Sequence, residues 1–227
     1  MCGRYTLKTT PELVADQFHF EELSGLTPRY NIAPSQLVAC VRKSSGSSTR
    51  EGVMLRWGLI PSWAKDPVIG MKLTNARAES VAEKPSFRKS FRQRRCLVLA
   101  DGFYEWQKEG RVKQPYYIRM KDDRPFAFAG LWEHWSSSEG QVIETCALLT
   151  TEPNELMSPI HNRMPVILNP DAYDPWLDPT LHDGSRLTSL LQSYPTEEMV
   201  ANPVSRLVNN ARFDDPRCIE PLMGQEA

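Results

Sequence analysis

Nowhere in the 227-residue sequence do about 18 apolar residues follow one another, so no segment reads as a membrane-spanning helix. The start, Met1-Cys2-Gly3-Arg4, lacks the apolar core of a secretory signal. Together these absences lead us to expect a soluble cytoplasmic protein, nucleoid-associated if the cell is bacterial. No Cys-x-x-Cys pair occurs among Cys2, Cys40, Cys96, Cys146 and Cys218, and their number is odd. That excludes the usual signatures of a disulfide framework and of a zinc site, and no metal or cofactor is expected. Cys40, Cys96 and Cys146 lie in or beside apolar runs and read as inert core thiols. No internal repeat and no dividing linker is visible, so residues 1–227 read as one domain. A monomer is a separate expectation, not one that follows from the domain count.

A marked charge of either sign is also missing, since the net value is −1, yet the charges are segregated. Residues 1–83 hold ten Lys and Arg against eight Asp and Glu, residues 84–124 twelve against five, and residues 125–227 five against fifteen. The segments carry +2, +7 and −10. A chain folded from such segments can turn a positive face to a polyanion, with nucleic acid the leading candidate. The alternative is that Arg88, Lys89, Arg92, Arg94 and Arg95 are one solvated helix face.

What the sequence does hold is proline, 18 residues, above the usual share of about 5%, and hydrophobic residues at 41%. Many turns and short elements around a core follow. Thr10-Pro11-Glu12 ahead of Leu13, Val14 and Phe18 reads as a capped helix start. Leu37–Val41 and Val53–Trp57 read as strands flanking a polar loop over 44–48. Pro85–Arg95, with Phe87 and Phe91 four apart, reads as a helix with one buried edge. Cys96–Ala100, Tyr116–Met120, Phe126–Gly130, Thr145–Leu149 and Val166–Leu168 read as strands, and Asp171–Leu177 with Ser185–Leu191 as short helices. The order implies an α+β fold: a curved, largely antiparallel, barrel-like sheet core with short helices around it, and an irregular tail over 213–227.

Cys2 carries the distinctive chemistry. Removal of Met1, which a small residue at position two permits, leaves one residue with both a free α-amine and a β-thiol. Their reference pKa values, about 7.7–8.0 and about 8.5, leave a fraction of each nucleophilic near neutral pH. The amine condenses with an aldehyde to an imine, and the thiol closes a five-membered ring in an effectively unimolecular step. A cysteine at position two is also what an ordinary frayed terminus can carry by accident.

Six motifs in order decide between these. Met1-Cys2-Gly3-Arg4-Tyr5, Arg29-Tyr30-Asn31-Ile32-Ala33-Pro34, Arg56-Trp57-Gly58-Leu59-Ile60-Pro61-Ser62-Trp63, Thr74-Asn75-Ala76-Arg77-Ala78-Glu79, Asp101-Gly102-Phe103-Tyr104-Glu105-Trp106 and His161-Asn162-Arg163-Met164-Pro165 together resemble the SOS response-associated peptidase (SRAP) family. Pro203-Val204-Ser205 to Asn209-Asn210 looks like the family's closing element, and the match runs from residue 2 to about 212. The resemblance implies the α+β SRAP fold and a DNA-damage function: sensing abasic sites in single-stranded DNA and shielding them through a thiazolidine cross-link, with autoproteolytic and lyase activities. It implies four catalytic positions, Cys2, Asn75, Glu105 and His161.

Each position has a physical reading beside it. Burial among Phe103, Tyr104 and Trp106 would raise the carboxyl pKa of Glu105 and let it shuttle protons; alternation in a strand would instead point it to solvent. His161, after the turn Ser158-Pro159-Ile160, can protonate a sugar ring oxygen, although a lone loop histidine is often inert. Asn75 can accept from the Cys2 amine or simply shape an Asx turn. For the DNA, Arg4, Arg77 and Arg163 each sit two residues from a proposed catalytic position and can pair with phosphate. Asn31 and Pro34 of the Asn-Ile-Ala-Pro turn and Trp63 of Pro-Ser-Trp complete the expected DNA-binding set, the last two offering apolar faces to bases. Trp57 and Trp106 read as core. Two other functions stay open: a thiol peptidase acting on itself or on other peptides, and a non-covalent single-strand binding module.

Overall fold

The computed structural model describes residues 2–21, 23–43, 46, 49–110 and 112–222. Their strands, in chain order, are β1 (Tyr5–Leu7), β2 (Arg29–Ile32), β3 (Leu37–Arg42), β4 (Glu51–Trp57), β5 (Asn75–Arg77) and β6 (Arg95–Ala100). They continue with β7 (Gly102–Glu109), β8 (Val112–Met120), β9 (Phe126–Ser136), β10 (Val142–Thr151), β11 (Met164–Pro165) and β12 (Met199–Pro203). The α-helices are short: α1 (Pro11–Phe18), α2 (Arg88–Gln93), α3 (Tyr173–Leu177) and α4 (Gly184–Ser189). No described helix is long and apolar enough to cross a membrane. The polar loop expected over 44–48 lies, apart from Gly46, outside the described residues.

Five strands close a barrel. β3 pairs antiparallel with β4 and β6, β6 with β9, and β9 with β10, while β10 returns to β4 in parallel. Closure removes free edges from the core strands, which are the most apolar of the chain; every residue of β6 is buried. β5 extends the parallel edge of β10, with Leu148 opposite Asn75 and Thr150 opposite Arg77, and β11 pairs its last two residues. β4 can hand that edge over because the chain turns away at Gly58, whose φ is 134°. A Cβ there would lie 2.7 Å from the carbonyl oxygen of Gly70, so only glycine fits. The second sheet runs β12-β8-β7-β1-β2 and is antiparallel throughout. The expected α+β class and barrel-like core are therefore what the chain builds.

The two layers share a core centred on Tyr5. Its ring meets Trp57 edge-on at 5.4 Å and Phe128 at 5.7 Å, contacts worth about 0.5–1.5 kcal/mol each beyond area burial. Asp101 fixes the end of β1: its buried carboxylate accepts from Thr6 Oγ1 at 2.6 Å and from the N–H groups of Lys8 and Thr9 at 2.6 and 2.8 Å. Gly102 follows because any side chain would strike the Tyr117 ring.

Several expectations need correction. The helix read over Pro85–Arg95 is only α2, because Arg95 is drawn into β6, where its guanidinium is buried against the carbonyls of Trp176, Phe91 and Arg92. Arg94 is likewise no solvated charge, since it pairs with the buried Glu133. Val166–Leu168 is not a strand but carries a single bridge from Ile167 to Phe128. Trp57 is buried as expected, whereas Trp106 is half-buried and donates its indole N–H to Asn209 at 2.7 Å. Residues 213–222, expected as tail, are docked: Cys218 is buried, and Val204 bridges to Pro221.

Candidate active site

Cys2 enters the core ahead of β1 and is fully buried, its Sγ 3.9 Å from the Arg4 carbonyl oxygen. Burial pushes its thiol well above the ordinary range, and the negative charge of Glu105 adds to that. Resting Cys2 is therefore a neutral thiol. Asn75, brought alongside by the parallel register of β5 on β10, donates from Nδ2 to the Cys2 carbonyl at 2.9 Å and to Thr74 Oγ1 at 3.2 Å. The contact differs from the expected one, in which Asn75 accepts from the Cys2 amine. Its Oδ1 is buried and has no hydrogen-bond partner among the described residues, so the acceptor remains available.

Glu105 lies on β7 opposite Tyr116 of β8 and is 2% exposed. It points inward with the core side chains rather than to solvent. Burial raises its pKa, against the pull of nearby positive charge, His161 included, so protonated and ionised forms are closer in energy than for a surface glutamate. His161 arrives from the other side, on a turn tied by Met157 N–H to Asn154 Oδ1 at 2.9 Å and His161 N–H to the Met157 carbonyl at 2.8 Å. Gln107 holds this turn against β7 by donating to the Pro159 carbonyl at 3.1 Å. The Arg163 N–H donates to His161 Nδ1 at 3.0 Å, with the Arg163 carbonyl 3.1 Å from the same atom. The Arg163 backbone thus offers Nδ1 both a donor and an acceptor, and it fixes the direction in which the ring points.

The arginines divide. Arg163 spends its guanidinium on Glu79, in a two-point pair at 2.7 and 2.9 Å, and on the Thr150 carbonyl at 2.6 Å. The hydrogen bonds from Arg163 hold Glu79 below the usual carboxylate range. Arg4 donates to Asn31 Oδ1 and to the Val208 carbonyl, both at 2.9 Å. Arg77 is exposed, and among the described residues its side chain has no such partner. Asn31 is fully buried, and its amide donates to the carbonyls of Asn210 and Phe213 at 3.0 and 2.6 Å. Its place as a surface contact gives way to a clamp between β2 and the closing segment. Trp63 is 60% exposed on the segment after β4, and Pro34 is half-buried on the turn between β2 and β3.

Three supporting residues escaped the sequence reading. Asp214 accepts from the N–H groups of Tyr30 and Asn31 at 2.6 and 3.0 Å and pairs with Arg29. Tyr104 donates its hydroxyl to the Tyr30 carbonyl at 2.7 Å. Glu79 sits inside a quoted motif, but nothing local signals that its partner lies 84 residues away. Among the described residues no three His, Cys, Asp or Glu side chains are grouped to hold a metal ion.

Comparison with known proteins gives this arrangement a context. The model of the SOS response associated peptidase (SRAP) family matches residues 1–211. A Bacillus subtilis relative named abasic site processing protein YoqW is 46% identical over 97% of this chain and 99% of its own. A Xenopus tropicalis relative, abasic site processing protein HMCES, is 31% identical over 98% of this chain and 79% of its own. A crystal structure of a Bacteroides thetaiotaomicron protein superposes with a TM-score of 0.89 at 29% identity, covering 98% of this chain and all of that one. With both measures spanning nearly its whole length, the chain belongs to the SOS response associated peptidase family.

Proposed function

We propose that the protein captures the aldehyde of abasic sites in single-stranded DNA, forming a covalent thiazolidine through Cys2. The observation that carries the reading is the convergence on one buried cysteine at the chain start of an amide, a carboxyl of raised pKa and an imidazole. Each comes from a different segment. The names of the relatives, abasic site processing proteins, support the substrate class. The fold acts as a single chain, and its setting is the cytoplasm, on the nucleoid if the host is bacterial.

The chemistry runs in order. Hydrolysis of the Met1–Cys2 peptide bond, the one peptidase act we assign, exposes the α-amine. His161 gives a proton to the sugar ring oxygen, opening the hemiacetal to its aldehyde. The amine, free of its proton near its reference pKa of about 7.7–8.0, attacks that carbon. Glu105 relays the two ammonium protons in turn to the former carbonyl oxygen, first giving the carbinolamine and then the departing water, so an imine forms. The neutral Cys2 thiol then adds across the C=N bond, sulfur to carbon and proton to nitrogen. Asn75 keeps Cys2 in place, and its Oδ1 accepts from the new amine. Reopening of the ring to the imine, loss of a C2′ proton to water and departure of the 3′ phosphate, leaving a C2′=C3′ double bond, gives the lyase activity. Arg77 meets phosphate and Trp63 with Pro34 meets bases, while Arg4, Asn31 and Arg163 hold the frame from which these project.

A denaturing gel tests this. After incubation with an abasic single-stranded oligonucleotide, a retarded band is expected, lost in Cys2→Ala although reversible binding persists. Release of all DNA on denaturation overturns the reading in favour of passive binding; cleavage of casein without any adduct favours a peptidase of foreign chains.

A further inference from the structure

From Arg77 the chain passes through a 3-10 turn, Ala78–Ser80, and reaches α2. This helix buries Ser90 and Phe91, the latter 6.1 Å from the Trp176 ring, and turns Arg88, Lys89 and Arg92 outward. Arg94 and Arg95 of the same cluster are consumed internally, by Glu133 and by main-chain carbonyls. The three outward cations are different: among the described residues none is within ion-pair distance of a carboxylate. Segment 84–124, which contains them, carries the chain's excess of positive charge.

Two contacts give this face a direction. At one edge Lys89 Nζ lies 3.4 Å from Ser62 Oγ, beside the exposed Trp63. At the other, the helix opens onto a groove of about 470 Å³ lined by Lys43, Gln93, Arg94, Trp132, Thr180 and His182. The indole of Trp132 there sits 4.5 Å from the Arg42 guanidinium and 5.5 Å from that of Arg94, a half-buried aromatic of the kind that accepts a stacked base. Negative groups bound the path. Glu83 is exposed before α2, while Asp178 and Asp183 stand at the far lip, where each already accepts from its own turn.

We propose that the outward face of α2 is a second nucleic-acid surface, carrying the phosphates of the single strand that flanks the captured residue from the Trp63 turn to the Trp132 groove. The proposal rests on the reading above that the substrate is single-stranded DNA. The helix is about 9 Å long, enough for its outward cations to meet roughly two neighbouring phosphates of a single strand. Contacts of this type add affinity and salt dependence without sequence preference and leave the chemical step alone.

The test compares the wild type with Arg88→Gln/Arg92→Gln, both surface positions outside the capture site. Reversible binding is measured across a salt series with intact single strands of about 6 and about 25 nucleotides. Covalent capture is measured separately with the abasic forms at saturation. For the long strand the slope of log K against log salt should shrink by roughly 1.4, at about 0.7 per lost contact, with affinity falling about tenfold at low salt. Short-strand binding and saturated capture rates should not change. An unaltered slope on the long strand, or equal losses on both lengths, overturns the proposal. Should the wild type form no adduct with either abasic strand, the capture reading fails, yet the binding series still decides the role of α2.

Discussion

The side chain of Asn75 holds the backbone of Cys2: its Nδ2 donates to the Cys2 carbonyl at 2.9 Å across 73 residues of sequence. A residue ahead of the first strand has few covalent constraints, so its position depends on contacts such as this one. Asn75→Ala should therefore cost little stability, about 0.5–1.5 kcal/mol for one hydrogen bond, but slow capture by roughly 10–100-fold through misplacement of the reacting atoms. Single-turnover adduct formation beside a thermal melt checks the split. A capture rate within about twofold of wild type would remove Asn75 from the positioning role.

Glu105 stores a cost in the resting fold. Burial raises its pKa above the ordinary carboxyl value, so the folded chain binds a proton there more tightly than the unfolded chain. By linkage, stability falls as pH rises from the unfolded pKa through the folded one and stays at the lower level above it. Glu105→Gln, which keeps the shape without the charge, should melt at higher temperature than wild type at pH about 8, with the gap closing below pH about 4.5. The same variant should lose most of its capture activity. A melt difference that grows on acidification would contradict the assigned direction.

Burial of this kind was partly legible and partly not. The aromatic run Phe103 to Trp106 announced a desolvated carboxyl, and the apolar strands β3, β6, β9 and β10 stood out by composition. The short strands β2, β5 and β12 were not visible, because a run of three to five residues gains its strand character from partners elsewhere. The parallel register of β5 on β10, which delivers Asn75, is such a case. Asn31 read as a surface turn residue, since nothing in Asn-Ile-Ala-Pro reveals that the carbonyls of Asn210 and Phe213 wait for its amide. Arg95 misled for the same reason.

The clamp around Asn31 leads to a prediction for Asp214, which lies beyond the residues matched by the family model. Its carboxylate accepts two consecutive backbone N–H groups of β2 and pairs with Arg29. Asp214→Ala should destabilise the fold by about 1 kcal/mol, less than for a fully buried carboxylate because water reaches the site. Because Arg4 bonds the same Asn31 and the Val208 carbonyl, capture should also slow. Urea titration with single-turnover assays checks both. Unchanged stability would mean that the closing segment does not brace β2.

Arg77 and Arg163 lie in neighbouring motif segments, yet only the first should alter the salt dependence of binding when replaced. Arg77 is exposed, so on the proposed function Arg77→Ala should remove one phosphate contact and reduce the salt slope of single-strand binding by about 0.7. Arg163 is already engaged with Glu79 and the Thr150 carbonyl, and releasing it for phosphate would leave Glu79 without its partner. Arg163→Lys should therefore leave the slope unchanged while loosening the backbone that bonds His161 Nδ1, which appears as a slower capture rate with an altered pH profile. Lysine retains the charge but not the two-point geometry, so a purely electrostatic role for Arg163 predicts a normal rate and profile. Equal salt slopes for Arg77→Ala and wild type would instead transfer phosphate binding to another residue.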